Sequence, residues 1–143
     1  MDKFNNKITL VMDSKSQNES LARTVIAAFV APLDPSLDVL SDIKTAVSEA
    51  VTNAIIHGYR NETGEIDLSM ELEDKQLRVC VSDHGVGIQD IEKAMEPLYT
   101  TSQPEMERAG MGFTVMESFM DKVTVRSEPG LGTTVEMVRD LSK

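Results

Sequence analysis

Three polar residues recur every four positions along one predicted helix, and their side chains could carry out phosphate chemistry. Glu49, Asn53 and His57 share a face beside the apolar stripe of that helix, so they would line the rim of a pocket. A glutamate can take the proton of an attacking hydroxyl group or water, and an asparagine can give its carbonyl oxygen to a hard cation. The alternative is a solvated helix face with incidental polar residues. For His57, capping the helix or packing beside Asn53 stands beside a catalytic role.

A second segment whose residues could bind a ligand directly follows a predicted strand and reads Asp83-His84-Gly85-Val86-Gly87. An aspartate at the end of a strand can accept hydrogen bonds from an exocyclic amine, and two glycines let the backbone approach a ligand closely. The dinucleotide-binding fingerprint does not apply, because the third glycine and the helical crossover are missing. An ordinary glycine turn is the alternative interpretation.

A third segment, Gly110-Met111-Gly112-Phe113, is predicted to open a helix after an irregular loop. Glycines at the N-terminus of a helix present free backbone N–H groups to phosphate. A flexible hinge before the helix is the alternative. Gly130-Leu131-Gly132-Thr133-Thr134 is a weaker signal of the same kind, since a turn between strands explains its glycines.

Two helices are predicted before the first alternating segment. A capping box of Ser16 and Glu19 begins the first, which leaves Arg23 exposed, and Gly58 is the glycine stop of the second. Helical spacing of apolar residues gives the buried stripes. These are Leu21, Val25, Ala28 and Phe29 on the first helix, and Ile43, Ala46, Val47, Ala50, Val51 and Ala54 on the second, which runs from Leu37 to His57.

Strict alternation at 66–72 and 77–81 predicts an antiparallel hairpin that turns at Asp74-Lys75 and has one buried face. The other predicted elements are strands Lys7–Met12, Lys122–Ser127 and Thr133–Arg139, a short helix Asp90–Glu96, a loop Pro97–Ala109 and a helix Gly112–Met120. This order predicts an α+β two-layer sandwich, with helices on one face of a mixed, mainly antiparallel sheet. Residues 1–143 are expected to form one domain.

The bulk composition narrows the classes of partner. A net charge of −10 argues against direct nucleic-acid binding, which needs clustered Lys and Arg. The single cysteine, Cys80, cannot form an intrachain disulfide, so a reduced compartment such as the cytoplasm is the simplest setting. No apolar run is long enough for a signal peptide or a membrane span, so no membrane partner is expected.

The order of these segments resembles the ATP-binding Bergerat fold shared by gyrase, the Hsp90 chaperone, histidine kinases and the MutL repair protein. The resemblance covers nearly the whole chain. Three segments are similar in sequence to the anti-sigma factor serine kinases of spore-forming bacteria, in particular the anti-sigma F type. These segments are 48–59, Pro97-Leu98-Tyr99-Thr100-Thr101 and 110–113.

The resemblance implies a role for each matching residue. Glu49 corresponds to the general base for a protein serine, Asn53 to the Mg²⁺ ligand, and Asp83 to the contact with the adenine amino group, which Thr133 supports. The loop 97–109 corresponds to the ATP lid. Further residues implied to contact ATP or ADP are Gly85, Gly87, Thr100, Thr101, Arg108, Gly110, Gly112 and Phe113.

The implied protein partners are a sigma factor and an anti-anti-sigma protein whose serine is the substrate. Arg23 and Arg108 match arginines that touch partners in the family, and a homodimer is also implied. One departure concerns the lid, which reads Thr101-Ser102-Gln103-Pro104-Glu105 where relatives often read Thr-Lys-Pro-Glu. The lid lysine is absent, which puts a positive charge near the triphosphate in doubt.

Four functions are consistent with these residues. The first is an ATP-dependent anti-sigma factor that holds a sporulation sigma factor and phosphorylates its antagonist on serine. The second is a general-stress anti-sigma kinase, and the third is a binding module gated by ATP that has lost its kinase step. A detached histidine-kinase catalytic domain ranks below these, because no phosphoacceptor helix precedes the predicted fold.

Overall fold

The computed structural model describes residues 4–59, 63–85 and 104–142, with the backbone alone at 57–58 and 104–111. These residues form a five-stranded sheet and three α-helices. In chain order the elements are β1 (Asn6–Asp13), α1 (Ser16–Val30), a 3-10 turn (Ala31–Leu33), α2 (Leu37–Asn53), a π-helical turn (Ala54–Gly58), β2 (Glu65–Glu73), β3 (Gln76–Asp83), α3 (Pro104–Phe119), β4 (Lys122–Glu128) and β5 (Gly132–Asp140).

The strands lie in the order β1-β2-β3-β5-β4, and every pairing among the described strands is antiparallel. The predicted α+β class is confirmed, although no parallel pair of a mixed sheet occurs among these five strands. β3 lies in the middle of the sheet. Its last residue, Asp83, pairs with Ile66 of β2 and Thr133 of β5, so this aspartate sits between two neighbouring strands.

The core lies between the helices and one face of the sheet. The alternating residues of the β2–β3 hairpin are buried as predicted, and the hairpin turns through Asp74 and Lys75 with φ of 49° and 67°. Two successive positive φ values are typical of the tight turn that matches strand twist. The predicted stripe of α2 is also confirmed, with Ile43, Ala46, Val47, Ala50, Val51 and Ala54 all buried. No helix in the described part of the chain is long and apolar enough to cross a bilayer.

The predicted stripe of α1 is confirmed only in part, because Phe29 is buried and Val25 packs against the core, but Ala28 is exposed. Its buried residues are Ala22, Ile26, Phe29 and Val30, whereas Leu21 is 45% exposed. Apolar residues occur on two adjoining faces of this helix, so periodicity alone did not identify the face that packs on α2. Arg23 is exposed, as predicted.

The predicted capping box is also wrong, because the N-cap of α1 is Lys15, whose side chain forms no capping hydrogen bond. Ser16 is already helical. Glu19 accepts a hydrogen bond from Ser48 of α2 and forms an ion pair with Arg23, its Oε1 lying 3.1 Å from Arg23 Nε. The glutamate that was expected to cap α1 therefore links α1 to α2.

The end of α2 and the start of α3 both depart from the predicted bounds. After Asn53 the chain widens into the π-helical turn, which ends at Gly58. α3 begins at Pro104, so the predicted loop 97–109 is helical in its last residues. Proline at the first helical position with acidic residues in the first turn is a helix start signal. The predicted helix 90–96 lies outside the described residues.

Candidate functional site

Glu49 and Asn53 of α2 face Gly112 of α3, which brings two of the three sequence segments together. A Cβ atom added at Gly112 would lie 3.1 Å from Asn53 Nδ2 and 3.1 Å from Glu49 Oε2. Such distances are at the lower limit of ordinary contacts, so any larger residue would push against both polar groups. Gly112 is buried and lets α3 pass closely over the face of α2 that contains Glu49 and Asn53.

The amide of Asn53 is the clearest sign that this face binds something. Asn53 is buried in α2 at 9% exposure, and its Nδ2 has no hydrogen-bond partner among the described residues. Leaving a buried donor unpaired costs about 1–3 kcal/mol, so native proteins pair nearly all such groups. An acceptor supplied by a ligand, such as a phosphate oxygen, would satisfy this donor.

Glu49 lies in an environment suited to a general base. Burial raises the pKa of the Glu49 carboxyl above its usual range, and the negative charge of Glu19 raises it further. A carboxylate with a raised pKa accepts a proton more readily than one in water. Glu19, which forms an ion pair with Arg23, therefore lies close enough to Glu49 to affect its ionisation.

The environment of Glu49 predicts a pH-dependent gain in stability for Glu49→Gln without nucleotide. A raised pKa means that ionisation opposes folding above that pKa, and this penalty disappears below the ordinary value of 4.5. The unfolding midpoint of Glu49→Gln should exceed that of the parent by about 1–3 °C at pH 7.5, because the carboxyl stays partly hydrated. The difference should shrink as the pH falls from the raised pKa of Glu49 towards 4.5.

The control for Glu49→Gln is Glu73→Gln, which removes the same charge from an exposed position. It corrects for the general relief of repulsion in a chain of net charge −10. Equal midpoints for the two variants at pH 7.5, measured by thermal unfolding, would contradict the assigned environment of Glu49.

Asp83 carries the second part of the site at the end of β3. Its side chain is 6% exposed, and its Oδ1 accepts a hydrogen bond of 2.9 Å from the backbone N–H of Gly85. Burial raises the pKa of the Asp83 carboxyl, while the backbone N–H groups of Gly85 and Thr133 and the nearby His84 offset part of the rise. The hydroxyl of Thr133 lies 2.8 Å from Ser127 Oγ on the neighbouring strand. A buried carboxylate held in this way can read a hydrogen-bond donor on a ligand.

The structure requires glycine at position 132 for a reason that the sequence pattern did not reveal. Its φ is 109°, and an added Cβ would lie 2.1 Å from the backbone oxygen of Asp83 and 2.7 Å from His84 Cα. Only glycine permits β5 to pack this closely against the turn that holds Asp83. Gly130 has a φ of 80°, but a Cβ there would meet nothing within 4 Å.

These two glycines give a matched pair of substitutions. Both alanine variants suffer the cost of a positive φ, about 1–2 kcal/mol. Gly132→Ala should lose about 1–3 kcal/mol more than Gly130→Ala, because it also forces the Asp83 backbone to move. Urea denaturation measures the difference, and equal losses would show that the close approach at Gly132 carries no energetic weight.

The other residues implied by the resemblance are distributed as follows. Gly85 lies two residues after Asp83 and donates its backbone N–H to the Asp83 carboxylate, and Phe113 is buried in the hydrophobic core. Arg108 and Gly110 lie in α3, and Arg23 lies on the exposed side of α1. Gly87, Thr100 and Thr101 lie outside the described residues. The prediction that Gly110 and Gly112 open a helix is wrong, because α3 begins at Pro104 and both glycines lie inside it.

Two residues near the site were missed in the sequence. Gly132 was attributed to a turn, although Gly130 already supplies the turn conformation, and the second glycine was therefore the available signal. Tyr59 forms hydrogen bonds beside Asp83 through its hydroxyl group. It follows the polar face of α2, but no periodicity distinguishes it.

Comparison with known proteins identifies the class to which this fold and site belong. The family described as the histidine kinase-like ATPase domain matches residues 12–139. The RsbU and RsbW domains of a Mycobacterium tuberculosis protein share the fold with a TM-score of 0.68 at 19% identity, covering 95% of this chain and 32% of that chain. The catalytic domain of the histidine kinase ThkA does so with a TM-score of 0.55 at 17% identity, covering 95% of this chain and 96% of that chain.

Relatives of higher identity are named anti-sigma F factors. One from Clostridium acetobutylicum is 57% identical over 132 residues, which cover 92% of each chain. One from Bacillus velezensis is 53% identical over 139 residues, which cover 96% of this chain and 94% of the relative. The chain belongs to the histidine kinase-like ATPase family and, within it, to the anti-sigma F factors. Membership of an ATPase family implies that ATP and ADP bind to this fold.

Proposed function

We propose that this chain is an ATP-dependent anti-sigma factor that sequesters a sporulation sigma factor and phosphorylates a serine on its anti-anti-sigma antagonist. The kinase activity is inferred from the close approach of Glu49 and Asn53 to Gly112. It is also inferred from the buried Nδ2 of Asn53, which has no protein partner among the described residues. The names of the relatives support the anti-sigma part.

The two ends of the site suit the two ends of ATP. The buried Asp83 carboxylate would accept a hydrogen bond from the adenine amine, with Thr133 beside it on β5. Asn53 would face the phosphates, where its Nδ2 finds an acceptor. Gly85, Gly87, Thr100, Thr101, Arg108, Gly110, Gly112 and Phe113 complete the proposed nucleotide contacts.

The residues present also fit a magnesium ion. No group of three or more His, Cys, Asp or Glu side chains among the described residues is arranged to hold a metal by itself. Mg²⁺ commonly uses one or two protein oxygens together with phosphates and water, and the Asn53 carbonyl oxygen is a ligand of this type. Bound there, the ion would neutralise charge on the phosphates.

Glu49 would act directly on the substrate serine. The serine oxygen attacks the γ-phosphorus, and the bond between that phosphorus and the β–γ bridging oxygen breaks to release ADP. Glu49 takes the proton of the attacking hydroxyl, and its environment, which raises the pKa of the carboxyl, suits this role. The products are a phosphoserine on the antagonist, ADP, and a proton held by Glu49.

Nucleotide state would select the partner. Binding of the γ-phosphate at the segment 97–109 would change the surface offered to the sigma factor or its antagonist. Arg23 and Arg108 are the proposed partner contacts, and Arg23 is exposed on α1. We further propose that the protein acts as a homodimer in the cytoplasm, with residues 1–143 as one kinase domain.

A second candidate function is a module that uses ATP only to gate partner binding. The absence of the lid lysine, in the segment Thr101-Ser102-Gln103-Pro104-Glu105, favours this possibility. A general-stress anti-sigma kinase agrees less well with the chain, since both relatives described above, at 57% and 53% identity, are named anti-sigma F factors.

Incubation with radiolabelled ATP, Mg²⁺ and a candidate anti-anti-sigma protein separates these functions. The kinase predicts label on a serine of the added protein, located by mass spectrometry. ATP-dependent binding of the sigma factor with no label on the antagonist would overturn the kinase and support the gating module.

A further inference from the structure

Tyr59 bridges two segments of backbone beside Asp83. Its hydroxyl accepts a hydrogen bond of 2.8 Å from the backbone N–H of His84 and donates one of 2.5 Å to the carbonyl oxygen of Glu65. One side-chain oxygen therefore joins the residue after β3 to the first residue of β2. Both partners are backbone groups, so the bridge constrains the path of the chain itself.

The aromatic ring of Tyr59 is fixed as firmly as its hydroxyl. It lies over Gly64, where an added Cβ would fall 2.2 Å from Tyr59 Cε1. Gly64 is held in turn by Ser14, whose Oγ accepts from the Gly64 N–H at 2.8 Å and whose N–H donates to the Gly64 carbonyl oxygen at 2.8 Å. The ring thus rests on a backbone platform that is tied to the connection between β1 and α1.

The position of Tyr59 in the chain links the two ends of the proposed nucleotide site. It directly follows the π-helical turn at the end of α2, the helix that carries Glu49 and Asn53. Its hydroxyl reaches the peptide between Asp83 and His84. Gly132 packs against that same peptide, because a Cβ there would lie 2.1 Å from the Asp83 oxygen and 2.8 Å from its carbonyl carbon. The peptide is therefore held both by β5 and by the Tyr59 hydroxyl.

This arrangement bears on the orientation of the Asp83 carboxylate. The carboxylate is tied to Gly85 N–H on the far side of His84, so His84 lies between two fixed points. Without the bond from Tyr59, the His84 N–H would lose its partner, and the close contact with Gly132 would be left to hold the peptide. A shift of the turn would then displace the Asp83 carboxylate, which is bonded to Gly85 N–H.

We propose that Tyr59 is a positioning residue for base recognition, whose hydroxyl holds the Asp83–His84 peptide so that the Asp83 carboxylate reads the exocyclic amine of adenine. The inference rests on the proposed role of Asp83 in the nucleotide site. It adds a residue on the helix side of the site that sets base selectivity without touching the nucleotide.

The test compares ATP with inosine triphosphate, which carries an oxygen in place of the exocyclic amine. Tyr59→Phe keeps the ring over Gly64 and removes only the hydroxyl. ATP affinity should fall about five- to tenfold, the size of one lost hydrogen bond, while the affinity for inosine triphosphate stays within twofold. The preference for ATP therefore falls by nearly the same factor. Thr45→Ala, which removes an exposed hydroxyl bonded to the Ser41 carbonyl oxygen at 2.9 Å, should change neither affinity.

Two results would overturn the inference. One is an equal loss of affinity for both nucleotides in Tyr59→Phe, which would mark a general structural role. The other is an unchanged ATP preference in a variant whose His84 and Gly85 amide resonances have shifted, showing that the turn moved without consequence. Asp83→Asn in the same assay separates the two levels. If it abolishes the ATP preference and Tyr59→Phe does not, only the role of Tyr59 fails; if it retains the preference, the adenine assignment fails as well.

Discussion

Glu49→Ala is expected to lower the rate of serine phosphorylation by about 10²- to 10⁴-fold while ATP binding survives. The loss has this size because the variant removes the group that takes the proton from the attacking hydroxyl. Nucleotide affinity should change little, because in the proposed complex the adenine ring is recognised by Asp83 and the phosphates face Asn53. Single-turnover phosphotransfer and equilibrium binding of ATP measure the two quantities separately.

The matched control for Glu49→Ala is Glu117→Ala, which removes an exposed glutamate from α3. Glu49→Gln should repeat the loss of activity while preserving the shape of the side chain next to Gly112. Phosphotransfer by Glu49→Ala at close to the parent rate would show that another group accepts the proton, and the assignment of the base would then be wrong.

Asp83→Asn is expected to weaken ATP binding by about 10- to 100-fold, which corresponds to the loss of a hydrogen bond with a charged partner. The carboxylate accepts from Gly85 N–H through one oxygen, and the variant places an NH₂ donor where the second acceptor would face the adenine amine. Binding, and not only turnover, should therefore suffer. Calorimetric titration with ATP measures the change.

The control for Asp83→Asn is Asp67→Asn on β2. Asp67 lies in the same part of the sheet, with its Oδ2 3.5 Å from His84 Nε2, and it carries the same charge. It should leave ATP affinity within about twofold, because a partly exposed surface charge contributes little. An unchanged affinity in Asp83→Asn, or an equal loss in both variants, would contradict the adenine assignment.

Elements with a single clear period were predictable from the sequence. The buried stripe of α2 and the alternation in β2 and β3 were predicted residue by residue, since each pattern admits only one buried face. On α1 the prediction was right at Phe29 and wrong at Leu21 and Ala28, because Leu21 and Ala22 begin two adjoining apolar stripes. Only packing against α2 selects the one that contains Ile26.

The beginning of α3 was missed for a related reason. Three of the four residues after Pro104 are charged, so the loop was extended to Ala109, although Met106, Ala109 and Phe113 have helical spacing. As a result, the glycines at 110 and 112 were assigned to a helix N-terminus. In the structure Gly112 instead provides a close approach to Glu49 and Asn53, which is a contact between distant parts of the chain.

In the candidate site, too, residues recognisable from local sequence differ from residues recognisable only from tertiary contacts. Glu49, Asn53 and Asp83 were identifiable because their residue types and spacing have chemical meaning on their own. Gly132 and Tyr59 act only through what they touch, the backbone of Asp83 and His84, and no local pattern marks such contacts. Residues that support a site through tertiary contacts become visible only when the fold is known.

In the proposed complex, one nucleotide spans from Asp83 at the end of β3 to Glu49 and Asn53 on α2. A crystal structure with Mg²⁺ and a non-hydrolysable ATP analogue tests it most directly. We predict that the adenine amine donates a hydrogen bond to the Asp83 carboxylate and that the γ-phosphate lies beside Asn53, with Glu49 facing the site of attack. An adenine ring bound away from Asp83, or phosphates bound away from Asn53, would contradict this placement of the nucleotide.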